Sequence, residues 1–180
     1  MSRPPERKRC RWPGNPLAIR YHDREWGVPV RNDRKLFEFL ILEGAQAGLS
    51  WDTILAKREN YRKALHGFDF QRISKYTAKD KKRLLANPGI VRNRAKIDAT
   101  IVNARAFIAL RKEFGSFSRY VWGFARSGGM AGAGALSKDL RQRGFNFVGP
   151  TIMYAFMQAT GMVNDHEKTC FRWRELNAKN

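Results

Sequence analysis

The chain has 180 residues, 35 Lys and Arg against 16 Asp and Glu, a formal net charge of +19, and a hydrophobic fraction of 43%. That length and hydrophobicity suit one domain, or two closely fused ones, with a genuine core. The absence of any run near the ~20 apolar residues of a membrane span, of an apolar stretch behind the basic start and of more than two cysteines argues against a membrane protein, a secreted one and a disulfide scaffold, and places the chain in a reducing cytoplasm. Its charge favours polyanions through counterion release. Nucleic acid comes first and an anionic membrane surface second.

In chain order the pattern predicts helix after helix. Asn32 and Asp33 start one, with Leu36, Phe37, Leu40 and Ile41 at helical spacing, ending near Ala47 before Gly48. Ser50 caps the next, Trp51 to about Leu65. Thr77 with Asp80 reads as a capping box, and Pro88-Gly89 closes that helix. A long amphipathic helix runs from Asn93 to about Phe114, with Ile97, Ile101, Ala104, Phe107 and Ile108 on its apolar face. Another is expected over Ser116 to Ala125. Ser127 to Gly134, SGGMAGAG, reads as a mobile surface loop, followed by a short basic helix from Ala135 to Arg143. Gly144–Gly149 forms a turn, and Pro150 opens a last core helix that ends at Thr160 with Gly161 as its cap. No alternating pattern is long enough for a sheet. The fold class is therefore all-α. The expected division is a basic N-terminal tail at 1–9, one compact unit at 10–172 and a C-terminal tail at 173–180.

Two constellations carry chemistry. Cys10, His22, His166 and Cys170 supply two sulfurs and two imidazoles, a donor set that suits tetrahedral zinc. His166 and Cys170, four apart, share one face of a helical turn. Cys10 and His22 are not a compact pair, so spacing leaves two readings open: one shared metal joining both ends of the chain, or two buried thiols and two hydrogen-bonded histidines. The second constellation is helix, glycine-bounded turn, helix. Arg141 and Arg143 precede Gly144, and Gly149 precedes Pro150. Free amides at the start of the following helix bind phosphate, a way of gripping one DNA strand without reading its sequence. An ordinary interhelical loop is the alternative.

The strings YHDREWGVP (21–29), LEGAQAGLSW (42–51), KRENYRKA (57–64), GIVRNRAKI (89–97), RGFNFVGPTI (143–152) and MQATGMVNDH (157–166) run in order across nearly the whole chain. On these the sequence resembles the Tag family of DNA-3-methyladenine glycosylases, in the helix-hairpin-helix glycosylase superfamily. The resemblance implies a helix-hairpin-helix bundle and one structural zinc ion on Cys10, His22, His166 and Cys170, joining the N- and C-terminal segments. It implies a DNA-repair hydrolase that flips an alkylated base out of double-stranded DNA, acting as a monomer. Glu43 is the implied pocket carboxylate. It sits in the apolar run LILEGAQAG, sharing a helix face with Phe39, Leu40 and Ala47. Trp51 is the implied stacking residue, with Trp12 and Tyr21 as further pocket aromatics. Gly48 and Leu49 fall where the family fills the gap left by the extruded base, and Arg143, Gly144, Phe147, Gly149 and Thr151 fall on the DNA-binding hairpin.

Three departures matter. Ala18 stands where relatives carry a tyrosine, which bears on pocket shape and lesion choice. Asn164 occupies the slot of the superfamily's catalytic aspartate, and the adjacent Asp165 is expected to orient His166 or cap a helix. Thr151 stands in the slot of the nucleophilic lysine of bifunctional relatives. Without that amine no Schiff base forms, so no strand cleavage is expected. The rival readings are a non-catalytic hairpin DNA-binding module and a related glycosylase with altered lesion choice.

Overall fold

In the computed structural model, residues 7–178 are described. Arg3 and the rest of 1–6, and 179–180, which belong to the two expected tails, lie outside the described residues. The described residues form ten α-helices: α1 (Pro16–Arg24), α2 (Asp33–Gln46), α3 (Trp51–Ala64), α4 (Phe70–Ile73), α5 (Ala78–Leu85), α6 (Arg94–Phe114), α7 (Phe117–Trp122), α8 (Gly129–Gln142), α9 (Pro150–Ala159) and α10 (Phe171–Asn177). Among the described residues there is no strand, and no helix is long and apolar enough to cross a membrane.

The helix starts follow from capping chemistry. Asn32, Ser50 and Asn93 each accept from the backbone N–H three residues on, at 3.0, 3.2 and 3.0 Å. Asp80 accepts from the Thr77 N–H at 3.0 Å. Helix α2 is buried from Leu36 through Ala45 on every face, the mark of a central helix. It packs against α3, α6, α7 and α9. Phe107 anchors an aromatic cluster beneath it, with ring centroids 5.1 Å from Phe37, 4.8 Å from Phe70 and 4.1 Å from Phe117.

The structure departs from the sequence expectations in five places, one being that 166–170, expected as a helical turn, is bend and turn, with α10 starting only at Phe171. The glycine-rich stretch is not a loop: α8 begins at Gly129. Its glycines serve packing, since a Cβ on Gly132 would lie 2.7 Å from the Phe124 carbonyl and 3.3 Å from Met157 Cε. The helix expected over 116–125 breaks at Gly123, where α7 gives way to a 3-10 segment, Phe124–Ser127. Helix α1, begun by Asn15 and Pro16, was not predicted. Neither terminal segment is a free tail over its described part. The Lys8 carbonyl accepts from Phe171 N–H at 2.9 Å, Arg9 pairs with Asp23, and α10 buries Leu176.

Candidate active site

A cavity of about 380 Å³ opens among α1, the end of α2, the start of α3, α9 and the loop after it. The four expected pocket residues, Trp12, Tyr21, Glu43 and Trp51, all line it. So do Trp26, Gln46, Gln158 and Asp165, which sequence reasoning left without a pocket role. Trp26 lies inside one of the quoted strings but carried no separate signal. The size fits a single purine, at the lower end of small-molecule sites.

Glu43 reaches the cavity because α2 is sunk in the core, so a side chain near its end opens onto the space before α3. It is only 4% exposed. Burial pushes its carboxyl up to about 8, partly offset by the Arg58 guanidinium. No protein group among the described residues hydrogen-bonds to it. Beside it, the Tyr21 hydroxyl and the Trp51 Nε1–H are buried without a partner. Each orphan costs about 1–3 kcal/mol, a cost that a ligand with matching polar edges removes. The Tyr21 and Trp51 rings are 5.4 Å apart and tilted at 51°. Behind them Arg58 is held by Glu38 at 2.7 Å and by both oxygens of Glu25 at 3.1 and 2.9 Å. Ala18 is fully buried in the core and does not line the cavity, so it gives no ground for altered lesion choice.

The expected metal ligands converge. Donor atoms of Cys10, His22 and Cys170 lie within 4.8 Å of one another, all buried. His22 Nδ1–H donates to Asp23 at 2.8 Å, which leaves Nε2 facing Cys170 Sγ at 3.5 Å. His166 falls outside that tight group, but its ring centroid is 5.0 Å from that of His22. Its Nδ1–H donates to Asn164 Oδ1 at 3.0 Å, while its buried Nε2 has no partner. Burial holds His166 down at about 4, hence neutral, and pushes the Cys10 thiol up to about 11. Two thiols and two imidazoles, one with a buried nitrogen left without a partner, fit a soft dication better than a plain core. Asn164, not Asp165, orients His166; Asp165 turns to the cavity.

The hairpin is fastened to the core. Asn103 on α6 donates to the Asn146 carbonyl at 2.9 Å and accepts from its N–H at 2.8 Å. Gly44 lets it come close, since a Cβ there would lie 3.2 Å from Phe147 Cβ. Phe147 holds a positive φ of 55° and Gly144 one of 85°. Gly149 is extended, and Met153 N–H bonds its carbonyl at 2.8 Å, so the Thr151 and Ile152 amides lie ahead of the α9 ladder. Arg143 does not point outward. It pairs with Glu113 at 2.6 Å and Asp139 at 2.7 Å and lies over the Phe114 and Tyr120 rings. The exposed Arg141 is the cation beside Gly149, its guanidinium 3.3 Å from where a Cβ would sit. At the end of α2, Gly48 (φ 76°) turns the chain and leaves Leu49 43% exposed. Lys96 on α6 ties this turn down by donating to the carbonyls of Ala45 at 2.8 Å and Ala47 at 2.6 Å.

A family model described as methyladenine glycosylase matches residues 12–173. The chain is 46% identical to the DNA-3-methyladenine glycosylase 1 of Escherichia coli K12, over 91% of this chain and 95% of that protein. A crystal structure of 3-methyladenine DNA glycosylase I superposes with a TM-score of 0.87 at 49% identity, covering 91% of this chain and 98% of that one. The Staphylococcus aureus 3-methyladenine DNA glycosylase I, solved to explain 3-methyladenine recognition, superposes with a TM-score of 0.84 at 35% identity, covering 88% and 92%.

Proposed function

The chain belongs to the methyladenine glycosylase family, and we propose that it hydrolyses the N-glycosidic bond of 3-methyladenine in alkylated double-stranded DNA with the pocket around Glu43. The observation that carries this reading is a buried carboxylate without a partner, beside a phenol and an indole N–H also without partners, in a purine-sized cavity. Methylation at N3 makes the base a cation and a ready leaving group, so the enzyme has no need to protonate it. Glu43 attracts the cation and accepts from its exocyclic amine. Trp51 offers an aromatic face, worth roughly 0.5–2 kcal/mol to a cation. A neutral adenine brings no charge to compensate ionised Glu43, and is disfavoured.

Water adds to C1′ as the C1′–N9 bond breaks. The bonding pair neutralises the base, and a proton is released. Thr151 offers no amine for a Schiff base, which makes the enzyme monofunctional. The Thr151 and Ile152 amides hold a phosphate of the damaged strand, with Gly144, Phe147 and Gly149 shaping the turn, and Leu49 fills the gap left by the extruded base. Cys10, His22, His166 and Cys170 hold one zinc ion, whose chemistry is purely structural. The protein acts as a monomer in the cytoplasm. Its organisation is one unit, with the zinc-binding termini and the hairpin part built around α2.

The test is base release. Purified protein should liberate 3-methyladenine from methylated duplex DNA without nicking the strand. No release above background, with binding to abasic DNA kept, would leave only a DNA-binding module. The hairpin assignment has its own check in a salt titration of abasic-DNA binding. Arg141→Ala should reduce the slope of log affinity against log salt by about one. Arg143→Ala should leave the slope alone and lower stability, because its charge is already spent on Glu113 and Asp139.

A further inference from the structure

Leu49 also borders a second, wider groove of about 520 Å³, lined by Lys57 of α3 and by Leu85, Pro88, Val91 and Arg92 on the approach to α6. Nothing in the reading above gives this groove a role. Its charged walls, Lys57 and Arg92, are both positive, and no acidic side chain lines it. The turn that carries Arg92 is fastened to α3 and to itself. Lys57 Nζ donates to the Pro88 carbonyl at 3.1 Å, Gly89 N–H to Asn87 Oδ1 at 2.8 Å and Val91 N–H to the Tyr61 hydroxyl at 3.2 Å. A Cβ on Gly89 would lie 3.0 Å from the Asn60 side chain, so the turn lies close against α3. Arg92 is exposed, as is Arg94, and no protein group among the described residues pairs with either. Arg143, by contrast, is neutralised by Glu113 and Asp139.

Helix α6 sets the order of these parts. Asn103 holds the hairpin, Lys96 holds the turn that presents Leu49, and Arg92 stands just before the helix begins at Arg94. From Asn103 to Arg94 is nine residues, about 14 Å at 1.5 Å per residue, and Lys96 lies between. Leu49 is therefore presented between the hairpin and the Arg92 turn. A side chain that fills the gap left by an extruded base stands between the two strands of the duplex. With the damaged strand on the hairpin side, the other side belongs to its complement. On the proposed glycosylase reading, we infer that the groove between Leu49 and Arg92 receives the undamaged strand opposite the lesion. Arg92 neutralises one of its phosphates, and Leu85 and Pro88 lie against its sugars. The contact is to backbone, so it holds the complement in place without reading its sequence.

The experiment measures affinity for abasic duplexes in which one neutral methylphosphonate at a time replaces a phosphate, along the undamaged strand and then along the damaged one. Wild type, Arg92→Ala, Arg92→Lys and Arg141→Ala are compared, with binding of free 3-methyladenine measured alongside. In the wild type, one position on the undamaged strand near the lesion should cost about tenfold. Arg92→Ala should bind the unmodified duplex about tenfold more weakly and lose about one from the slope of log affinity against log salt. It should also be blind to that position, because the two changes remove one contact. Arg92→Lys should keep the slope, since a phosphate also accepts a point charge. Arg141→Ala should still sense that position and turn blind to one on the damaged strand instead. Wild-type affinity in Arg92→Ala overturns the inference. So does blindness of Arg92→Ala to a position on the damaged strand. A matching loss of free-base binding overturns it too, because the groove lies outside the base pocket. Any of these results beside normal base release by the wild type brings down this inference alone. A wild-type protein that releases no base brings down the glycosylase reading itself, and this one with it.

Discussion

Glu43→Gln is expected to lower kcat/KM for 3-methyladenine release about 100-fold or more and to make the folded protein more stable at alkaline pH. Both effects come from one buried carboxyl pushed up to about 8. Between the ordinary glutamate range and that value, the folded protein keeps a proton that the unfolded chain gives up. Stability therefore falls as pH rises through that window, by a total on the order of 5 kcal/mol. Glutamine carries no such charge. The variant should melt with the wild type at pH 5 and several degrees above it at pH 8.5. Activity moves the other way. The ionised carboxylate is the form that attracts a cationic base, so wild-type kcat/KM should climb with pH through about 8 and level off above it, while the variant stays flat. Scanning calorimetry and base-release kinetics across pH 5–9 give both curves. Wild-type rates in the variant, or a variant no more stable at high pH, would remove Glu43 from the site.

Stripping the metal is expected to have the second large effect. Three of the four proposed ligands sit within two residues of a group that lines the cavity: Cys10 with Trp12, His22 with Tyr21, and His166 with Asp165. A zinc ion bound there, as proposed, would fix one wall of the base pocket as well as both ends of the chain. Thiol blocking with chelation, or Cys170→Ala, should lower the melting temperature by about 10 °C or more. It should open residues 7–24 and 163–178 to protease and abolish binding of free 3-methyladenine. Adding zinc back to the chelated wild type should restore all three. Carefully prepared protein with under about half an equivalent of zinc, yet fully stable and active, would favour simple buried thiols.

The sequence announced α2, α3, α5 and α6, which own caps and apolar faces, but not α1, although Asn15 caps it, and it missed the start of α8, which depends on packing. Helix α6 has twenty-one residues of periodic pattern behind Asn93. The start of α8 interleaves three glycines with alanine and Met130, and glycine disfavours a helix; Gly132 is there because Phe124 and Met157 approach too closely for anything larger. At the site, Glu43 was legible because a carboxylate inside LILEGAQAG contradicts its surroundings. Arg141 and Arg143 were indistinguishable by position. Only the fold shows that Glu113, thirty residues away in sequence, pairs with the second of them. The exchange of roles between Asn164 and Asp165 was equally hidden, because adjacent residues in a loop carry no periodicity to say which side chain faces where.

Lys96 and Asn103 lie seven apart on α6 and hold, respectively, the turn that presents Leu49 and the turn that opens α9. Both loops are thus mounted on one rigid rod, with the Gly44–Phe147 contact as a brace between them. On the proposed reading, no hinge among the described residues separates the part that grips from the part that pries. When the enzyme meets a lesion, the strain needed to part the strands must be taken up by the duplex, which folds itself around a tool whose jaws are already set.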